Sequence, residues 1–135
     1  MIQQRFIDKV IGAPWIDRTS SFESVDCWGL VLLYYKHVLG IELPTITGYD
    51  KGECDTAQGW QSGIHQWQQL DKPVGHGLLF TCYHDNKPSH VGVTIGPTKV
   101  LHARGSANNP GKVEIHSIRA IERLYGKMTY HKFIG

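Results

Sequence analysis

The spacing of apolar residues changes once along the chain, and this change constrains the fold more than any other feature. In the first 40 residues, apolar side chains recur at helical spacing, over residues 2–11 and again over residues 27–35. After Pro73 the chain consists of short apolar runs of the kind that form β-strands. Helices first and strands afterwards predict an α+β domain with an antiparallel sheet.

Turn residues set the expected limits of these elements. The first helix is predicted to stop at Gly12 and the second, apolar nearly all round, at Gly40. Five strands are predicted after Pro73, over residues 78–84, 90–95, 99–103, 112–118 and 128–134. A further helix is predicted within residues 48–71, where helix-compatible spacing relates Ala57, Trp60, Ile64, Trp67 and Leu70.

Composition predicts one compact domain. The 135 residues are 41% apolar and include four Trp, which is enough for one core, so we expect a single domain over residues 1–135. The formal charge of +2 is spread over 14 basic and 12 acidic residues and gives no electrostatic reason to expect nucleic acid as a partner. The N-terminal residues carry charges and no long apolar stretch, so we expect no signal peptide, no membrane segment and synthesis in the cytoplasm.

Three widely spaced cysteines argue against a disulfide framework. Cys82 lies in an apolar run and is expected to be a buried core residue, whereas Cys54 lies in a polar segment and has no assigned role. Cys82, His84 and His90 are all of metal-ligating type, but no Cys-x-x-Cys or His-x-x-x-His pattern accompanies them. We therefore expect no metal site.

Cys27 is the residue that says most about chemistry. It lies in the predicted first turn of the apolar helix, where unpaired backbone N–H groups and the positive end of the helix dipole favour a thiolate. A thiolate is the nucleophile of thiol acyl transfer, which also needs a histidine as base and a polar group that orients this histidine. Two strand-like runs, residues 89–96 and 100–103, supply His90 and His102.

His90 and His102 are expected on neighbouring strands, because residues 96–98 (Gly-Pro-Thr) predict a hairpin between them. Directly opposed side chains in a sheet are about 5 Å apart, which suits a hydrogen bond between two imidazoles. If the helix packs across this sheet, His90 can take the proton of Cys27 while His102 fixes the tautomer of His90.

Taken singly, each of these residues has a simpler structural explanation. A cysteine in an apolar helix is usually a core residue, and a histidine in a strand is usually a satisfied polar residue or a surface one. Gly29 and Gly92 favour the catalytic interpretation, because they would leave room for close approach of helix, sheet and substrate. The other histidines, His116 among them, have no partner that the sequence identifies and are interpreted as surface or structural residues.

Two segments carry the candidate residues: Asp26-Cys27-Trp28-Gly29-Leu30-Val31, and His90-Val91-Gly92-Val93-Thr94-Ile95-Gly96 followed by Leu101-His102-Ala103. They resemble the helix motif Asp-Cys-Ser-Gly-Leu-Val and the strand motifs His-Val-Gly-Ile-Tyr-Ile-Gly and Ile-His-Ala of the NlpC/P60 family of papain-like cysteine peptidases. The order and separation of the motifs also agree, and the resemblance extends from residue 12 to about residue 103.

The resemblance implies a circularly permuted papain-like α+β fold in which N-terminal helices pack on an antiparallel sheet. It implies Cys27 as nucleophile, His90 as general base and His102 as the residue that orients it, without a metal or an organic cofactor. Family members commonly cleave peptidoglycan stem peptides, typically between D-glutamate and a diamino acid. The expected substrate is therefore a peptidoglycan stem peptide, cleaved through a thioester at Cys27.

Three residues are expected to line the substrate cleft: Trp15, Asp26 and Trp28. Many members of the family have a tyrosine in the loop before the helix, and Trp15 takes its position here. An indole offers one N–H donor and a stacking face but not the geometry of a phenol, so specificity is expected to differ from that of the common wall endopeptidases.

The Pro14-Trp15 pair and the Asp-Cys-Trp-Gly-Leu sequence resemble the NlpC/P60 domains of bacteriophage tail proteins. This resemblance implies incorporation into a phage tail, with other tail proteins as partners and peptidoglycan as substrate. Two other interpretations stay open at this point. One is a tail structural or assembly protein that uses the same fold for docking, and the other is an amidase or acyltransferase that acts on a substrate outside the wall.

Overall fold

The computed structural model describes residues 1–44, 64–105 and 108–135. The α-helices in this part of the chain are α1 (Gln3–Val10), α2 (Cys27–Tyr34) and α3 (Ile118–Tyr125). Helix α2 continues as a π-helical turn over Tyr35–Leu39, and a 3-10 turn covers Ile64–Gln66. The strands are β1 (Trp67–Leu70), β2 (His76–His84), β3 (Lys87–Ile95), β4 (Lys99–Ala103), β5 (Val113–Ser117) and β6 (Thr129–Phe133). No helix of the described residues is long and apolar enough to cross a membrane.

The strands form one antiparallel sheet in the order β1-β6-β2-β3-β4-β5. Strands β2 to β5 are neighbours in chain order, whereas β6 returns to lie between β1 and β2. The predicted α+β class is confirmed, and each of the five predicted strands coincides with one of β2 to β6 to within a few residues. The predicted helix ends at Gly12 and Gly40 also agree with the structure, since α1 stops at Val10 and Gly40 caps the π-helical turn with a φ of +69°.

Each face of the sheet has its own core, because successive side chains of a strand point to opposite faces. On one face Val91, Val93 and Leu101 pack with the apolar sides of α1 and α2. On the other face Phe80 and Cys82 pack with α3. The sheet therefore lies between two helical layers, of which the sequence predicted only the N-terminal one.

Helix α3 was not predicted, because its apolar signal is short. Only Ile118 and Ile121 of this helix are buried, and the fourth predicted strand, residues 112–118, extended into its first residue. The helix begins where the Ser117 side chain accepts a hydrogen bond from the Ala120 N–H at 3.1 Å. It ends at Gly126, whose φ of +84° few other residues adopt.

The predicted helix over residues 48–71 is wrong at its C-terminal end. Residues 67–70 form strand β1, which pairs with β6 from Trp67 opposite Phe133 to Leu70 opposite Tyr130. The Trp67 and Phe133 rings contact each other at a centroid distance of 5.0 Å, so tertiary packing outweighs the helical spacing of Trp67 and Leu70. Residues 48–63 of the predicted helix lie outside the described residues, as does Cys54.

Candidate active site

Cys27 is the first residue of α2, and Asp26 caps this helix. The Asp26 carboxylate accepts the Gly29 N–H at 2.7 Å through Oδ1 and the Arg18 N–H at 2.8 Å through Oδ2. The loop before the helix is tied down by two backbone bonds, from Val25 N–H to the Pro14 carbonyl and from Asp26 N–H to the Thr19 carbonyl. The position of the thiol is therefore fixed by the loop as well as by the helix.

The Cys27 thiol lies against the backbone of β3. The backbone of Val91, the neighbour of His90, hydrogen-bonds the sulfur. Cys82, which pairs with His90 across β2 and β3, interacts electrostatically with Cys27, and so does Tyr125, whose ring contacts His90. The structure thus places the Cys27 thiol at the backbone of β3, one residue along the chain from His90.

The environment of Cys27 favours the neutral thiol in the resting site. Burial, and to a smaller extent the nearby Asp26 carboxylate, raise the pKa of the Cys27 thiol to about 12. Backbone hydrogen bonds from Val91, Trp28 and Cys27 lower this pKa, as expected at a helix N-terminus, but burial outweighs them. The thiolate that the sequence predicts must therefore form together with proton transfer to a base.

His90 and His102 are hydrogen-bonded to each other, from His90 Nε2 to His102 Nδ1 at 2.9 Å. They are diagonal neighbours rather than the directly opposed pair that was predicted. Val93 pairs with Leu101, so His102 faces the position of Gly92, and His90 lies two residues further along β3. Diagonal neighbours in a sheet are further apart than directly opposed residues, but two imidazole side chains are long enough to meet across this distance.

Gly92 provides room for the Phe80 ring and not, as predicted, for the approach of a substrate. A Cβ atom at Gly92 would lie 2.4 Å from the Phe80 ring and 2.8 Å from the Leu101 carbonyl oxygen. Phe80 meets the rings of His90 and His102 edge to face, each at a centroid distance of 6.1 Å. The buried Phe80 ring therefore supports both imidazoles from below.

Burial holds both imidazoles in their neutral forms. It lowers the pKa of His90 to about 4, and the Arg104 guanidinium contributes in the same direction. Burial lowers the pKa of His102 to about 3, with further contributions from His90, His116 and Arg104. A neutral His90 can accept a proton, which a general base must be able to do.

Two further residues of the site were missed by sequence reasoning. His116 Nδ1 lies 2.8 Å from His102 Nε2, and Tyr125 stacks on His90 at a centroid distance of 5.3 Å with 18° between the rings. The sequence predicted the strand 112–118 that carries His116, but without the register of β4 against β5 no partner could be named. Tyr125 was missed because α3 was missed.

The three predicted cleft residues lie in different surroundings. Asp26 is buried at the helix cap, as described above. The Trp15 side chain contacts the loop after β4, because a Cβ at Gly105 would lie 2.8 Å from the Trp15 ring, and the Trp15 N–H donates to the Gly111 carbonyl at 2.8 Å. The indole N–H of Trp28 is buried and meets no acceptor among the described residues.

A comparison with sequence families decides the family of this chain. The sequence model of the NlpC/P60 family matches residues 13–134. The chain belongs to the NlpC/P60 family. The match covers both segments on which the resemblance rested, and it continues through α3 and β6, beyond the part of the chain in which motifs could be recognised.

Solved NlpC/P60 structures have the same fold. The chain is similar to the NlpC/p60 domain of the peptidoglycan hydrolase SagA, with a TM-score of 0.57 and 16% identity over 93% of this chain and 92% of that one. It is also similar to NlpC1 and NlpC2 of Trichomonas vaginalis, with TM-scores of 0.54 and 0.55 and identities of 19% and 18%. Each of these alignments covers 82% of this chain, but only 36% of NlpC1 and 39% of NlpC2. No curated protein sequence matches this chain.

The predicted papain-like NlpC/P60 fold is thus confirmed. Among the described residues, no group of three or more His, Cys, Asp or Glu side chains is arranged to hold a metal ion. The nitrogens of His90, His102 and His116 that face one another are instead used in hydrogen bonds between the rings.

We predict that the labelling of this NlpC/P60 protein by iodoacetamide follows the ionisation of Cys27. Because the Cys27 pKa is about 12, the rate component that depends on the free thiolate should rise about tenfold per pH unit between pH 8 and pH 10. Cys82 is fully buried and should stay unlabelled in the folded protein. Peptide mass spectrometry of each cysteine measures both effects, and a Cys27 rate that levels off near pH 8 would contradict the prediction.

Proposed function

We propose that this protein is a cysteine hydrolase that cleaves peptidoglycan stem peptides by acyl transfer through a thioester at Cys27. The observation that carries the proposal is the hydrogen bond between His90 and His102, together with a cysteine at a helix N-terminus that contacts the backbone of Val91, the residue after His90. Membership of the NlpC/P60 family supports it, and so does the fold that the chain shares with a peptidoglycan hydrolase.

In the acylation step, His90 acts as general base through Nδ1, because its Nε2 is engaged by His102. Nδ1 takes the thiol proton while the sulfur forms a bond to the carbonyl carbon of the scissile amide. The backbone N–H groups at the start of α2 stabilise the resulting oxyanion. The imidazolium then protonates the leaving nitrogen, the C–N bond breaks, and the acyl group remains on Cys27 as a thioester.

In the deacylation step, His90 takes a proton from a water molecule, which forms a bond to the thioester carbonyl carbon. The C–S bond breaks, the sulfur regains the proton held by His90, and the carboxylic acid is released. His102 holds His90 in the tautomer that both steps require, with the proton on Nε2 and the lone pair on Nδ1.

Within this function, we assign the bond between D-glutamate and a diamino acid as the one cleaved, with Trp15 and Trp28 as substrate contacts and Asp26 behind the nucleophile. Trp15 contacts the loop that follows His102, which is the side of the cleft where an indole can stack on the substrate. The exposed Arg104 of the same loop adds a cation that suits the carboxylates of a stem peptide.

The tail of a phage is the setting that we propose for this activity, with other tail proteins as partners. The Pro14-Trp15 pair and the Asp-Cys-Trp-Gly-Leu sequence support this setting. Wall cleavage at the point where DNA enters would be the role of the enzyme there.

Digestion of purified muropeptides by the wild type, Cys27→Ala and Cys82→Ala tests the proposed function. We expect the wild type to release a product with a new amino terminus and to carry the acyl mass on the Cys27 peptide after acid quenching. Cys27→Ala should lose cleavage by a factor of about 10³ or more. Cys82→Ala is the matched control, because it removes a thiol from the same neighbourhood that the mechanism does not use.

Each other outcome points to a different conclusion. Cleavage by Cys27→Ala at the rate of the wild type would exclude Cys27 as the nucleophile. A reactive Cys27 that forms thioesters with simple acyl donors but leaves muropeptides intact would favour an amidase or acyltransferase with another substrate. An unreactive Cys27 would favour a docking or assembly role for the fold.

A further inference from the structure

Three imidazoles form a continuous hydrogen-bonded chain across the sheet, from the buried His90 to the part-exposed His116. His90 Nε2 lies 2.9 Å from His102 Nδ1, and His102 Nε2 lies 2.8 Å from His116 Nδ1. The chain crosses β3, β4 and β5 by diagonal steps, since His116 lies opposite Val100, two residues before His102 on β4. The Glu114 carboxylate lies at the outer end, 3.9 Å from His116 Nε2.

Glu114 gives this chain a direction. A carboxylate favours a proton on the nearest nitrogen, His116 Nε2, so a neutral His116 has its lone pair on Nδ1. His102 must then donate from Nε2, which leaves its Nδ1 as acceptor for the Nε2–H of His90. The remaining lone pair is on Nδ1 of His90, the nitrogen that the mechanism needs as base.

The surroundings of the three rings differ in how well they accommodate a positive charge. His90 and His102 are buried, and the Arg104 guanidinium disfavours a cation on both. The His116 and Glu114 side chains are 33% and 38% exposed, and they face an open groove that is also lined by Lys112 and Ile11. Solvent and the Glu114 carboxylate therefore stabilise an imidazolium at His116 better than the core does at His90, against the opposing charge of Lys112.

We propose that His90, His102 and His116 form a proton relay in which the positive charge created by deprotonation of Cys27 comes to rest on His116 beside Glu114. The proposal rests on the proposed function in that it assumes Cys27 to be the nucleophile. It makes His116 a positioning residue that acts through His102 and His90.

The proton steps balance along the chain. The Cys27 proton moves to His90 Nδ1, the His90 Nε2 proton to His102 Nδ1, and the His102 Nε2 proton to His116 Nδ1. His116 then carries protons on both nitrogens, while His90 and His102 are neutral again. The same steps run in reverse when His90 protonates the leaving nitrogen.

Such a transfer differs from the carboxylate relay that is rejected for serine proteases. There the final acceptor would be an aspartate, a much weaker base than imidazole. Here donor and acceptor are the same chemical group, so only their surroundings decide where the charge rests. Two further titratable groups lie at the inner end of the relay: Tyr125, which stacks on His90, and Cys82, which pairs with His90 across β2 and β3.

Two substitutions at position 116 separate a relay from simple positioning. In His116→Asn, the side-chain oxygen can still accept from His102 Nε2, but the amide cannot take up a proton. In His116→Phe, both functions are lost. His84→Asn is the matched control, because His84 also lies 3.5 Å from a carboxylate, that of Asp85, but at the exposed end of β2.

The readouts are ¹⁵N shifts of the imidazoles and the pH profile of iodoacetamide labelling at Cys27. The pH-independent part of the labelling rate measures transfer of the thiol proton within the folded protein, whereas the part that rises with pH measures plain ionisation of the thiol. We expect protons on Nε2 of His90 and His102 in the wild type and in His116→Asn, and mixed tautomers in His116→Phe. The pH-independent labelling rate of Cys27 should fall about tenfold in His116→Asn and in His116→Phe. In Glu114→Gln the same rate should fall by a smaller factor.

A pH-independent labelling rate in His116→Asn equal to that of the wild type would overturn the relay and leave His116 as a hydrogen-bond acceptor only. Unchanged tautomers and rates in His116→Phe would remove His116 from the site altogether. His116 is part-exposed on the edge strand β5, so its replacement should not unfold the protein. Glu114→Gln gives a second test with a side chain of the same shape. None of these readouts needs a wall substrate, so a protein that fails to cleave muropeptides still tests the relay.

Discussion

Replacement of His90 by alanine is expected to lower kcat/KM for the cleavage of muropeptides by about 10³-fold, within the range for loss of a general base. With a Cys27 pKa of about 12, spontaneous ionisation supplies very little thiolate at pH 7, so the base must take the proton during the reaction. His90 is the proposed base, and its Nδ1 is the ring nitrogen that is not hydrogen-bonded to His102. Initial rates at several substrate concentrations give the ratio, and the loss should appear in kcat.

His102→Asn is the informative companion of His90→Ala. The asparagine oxygen takes the position of His102 Nδ1 and still accepts from His90 Nε2, so most of the orienting function is retained. We expect its rate to lie between those of the wild type and His90→Ala. Equal losses in the two variants would mean that His102 does more than orient His90, and an unchanged rate in His90→Ala would remove His90 from the mechanism.

Replacement of Gly29 by alanine is expected to destabilise the protein by about 2 kcal/mol, although alanine is the better helix former. A Cβ atom at Gly29 would lie 2.0 Å from the backbone carbonyl oxygen of Thr19, and the loop cannot yield without breaking its bond to the Asp26 N–H. We take about 3 kcal/mol for this overpacking against about 1 kcal/mol gained in helix propensity. The melting temperature should fall by about 8 °C.

Gly96→Ala is the matched control for Gly29→Ala. Gly96 lies in the turn between β3 and β4, and a Cβ there would meet nothing within 4 Å. Its φ is not positive, so alanine fits without strain and should leave the melting temperature unchanged or raise it slightly. A melting temperature that falls equally in both variants would mean that the contact with Thr19 is not what requires glycine at position 29.

The sequence was most informative where the pattern of neighbouring residues fits few structures. Cys27 in the first turn of an apolar helix, and the change from helical to strand spacing, indicated the position of the thiol and the class of the fold. His90 and His102 could be paired because a tight turn lies between them. In each case the decisive neighbours are close in the chain, so local spacing carries the information.

What the sequence left open depends on register and on distant contacts. The directly opposed geometry predicted for His90 and His102 was wrong, because a slip of two residues between β3 and β4 leaves the periodicity of both strands unchanged. His116 reaches His102 only through the register of β4 and β5. Gly92 proved to accommodate Phe80, a residue on another strand, which no spacing along the chain could indicate.

Helix α3 and strand β1 were missed for a related reason. Helix α3 buries little of its own surface, and β1 has a spacing that fits a helix, so each owes its conformation to packing on the rest of the sheet. Local propensity is a weak guide for such segments, because tertiary contacts override it.

The position of β6 has a consequence for biosynthesis. This strand lies between β1 and β2, so β1 cannot join the sheet until residues 129–133 have left the ribosome. Tyr125, which stacks on His90, also leaves the ribosome only after His90, His102 and His116. A nascent polypeptide that ends before residue 118 therefore contains the proposed nucleophile Cys27 and the proposed base His90 but lacks α3, Tyr125 and β6, so both residues are made before the sheet around them can be completed.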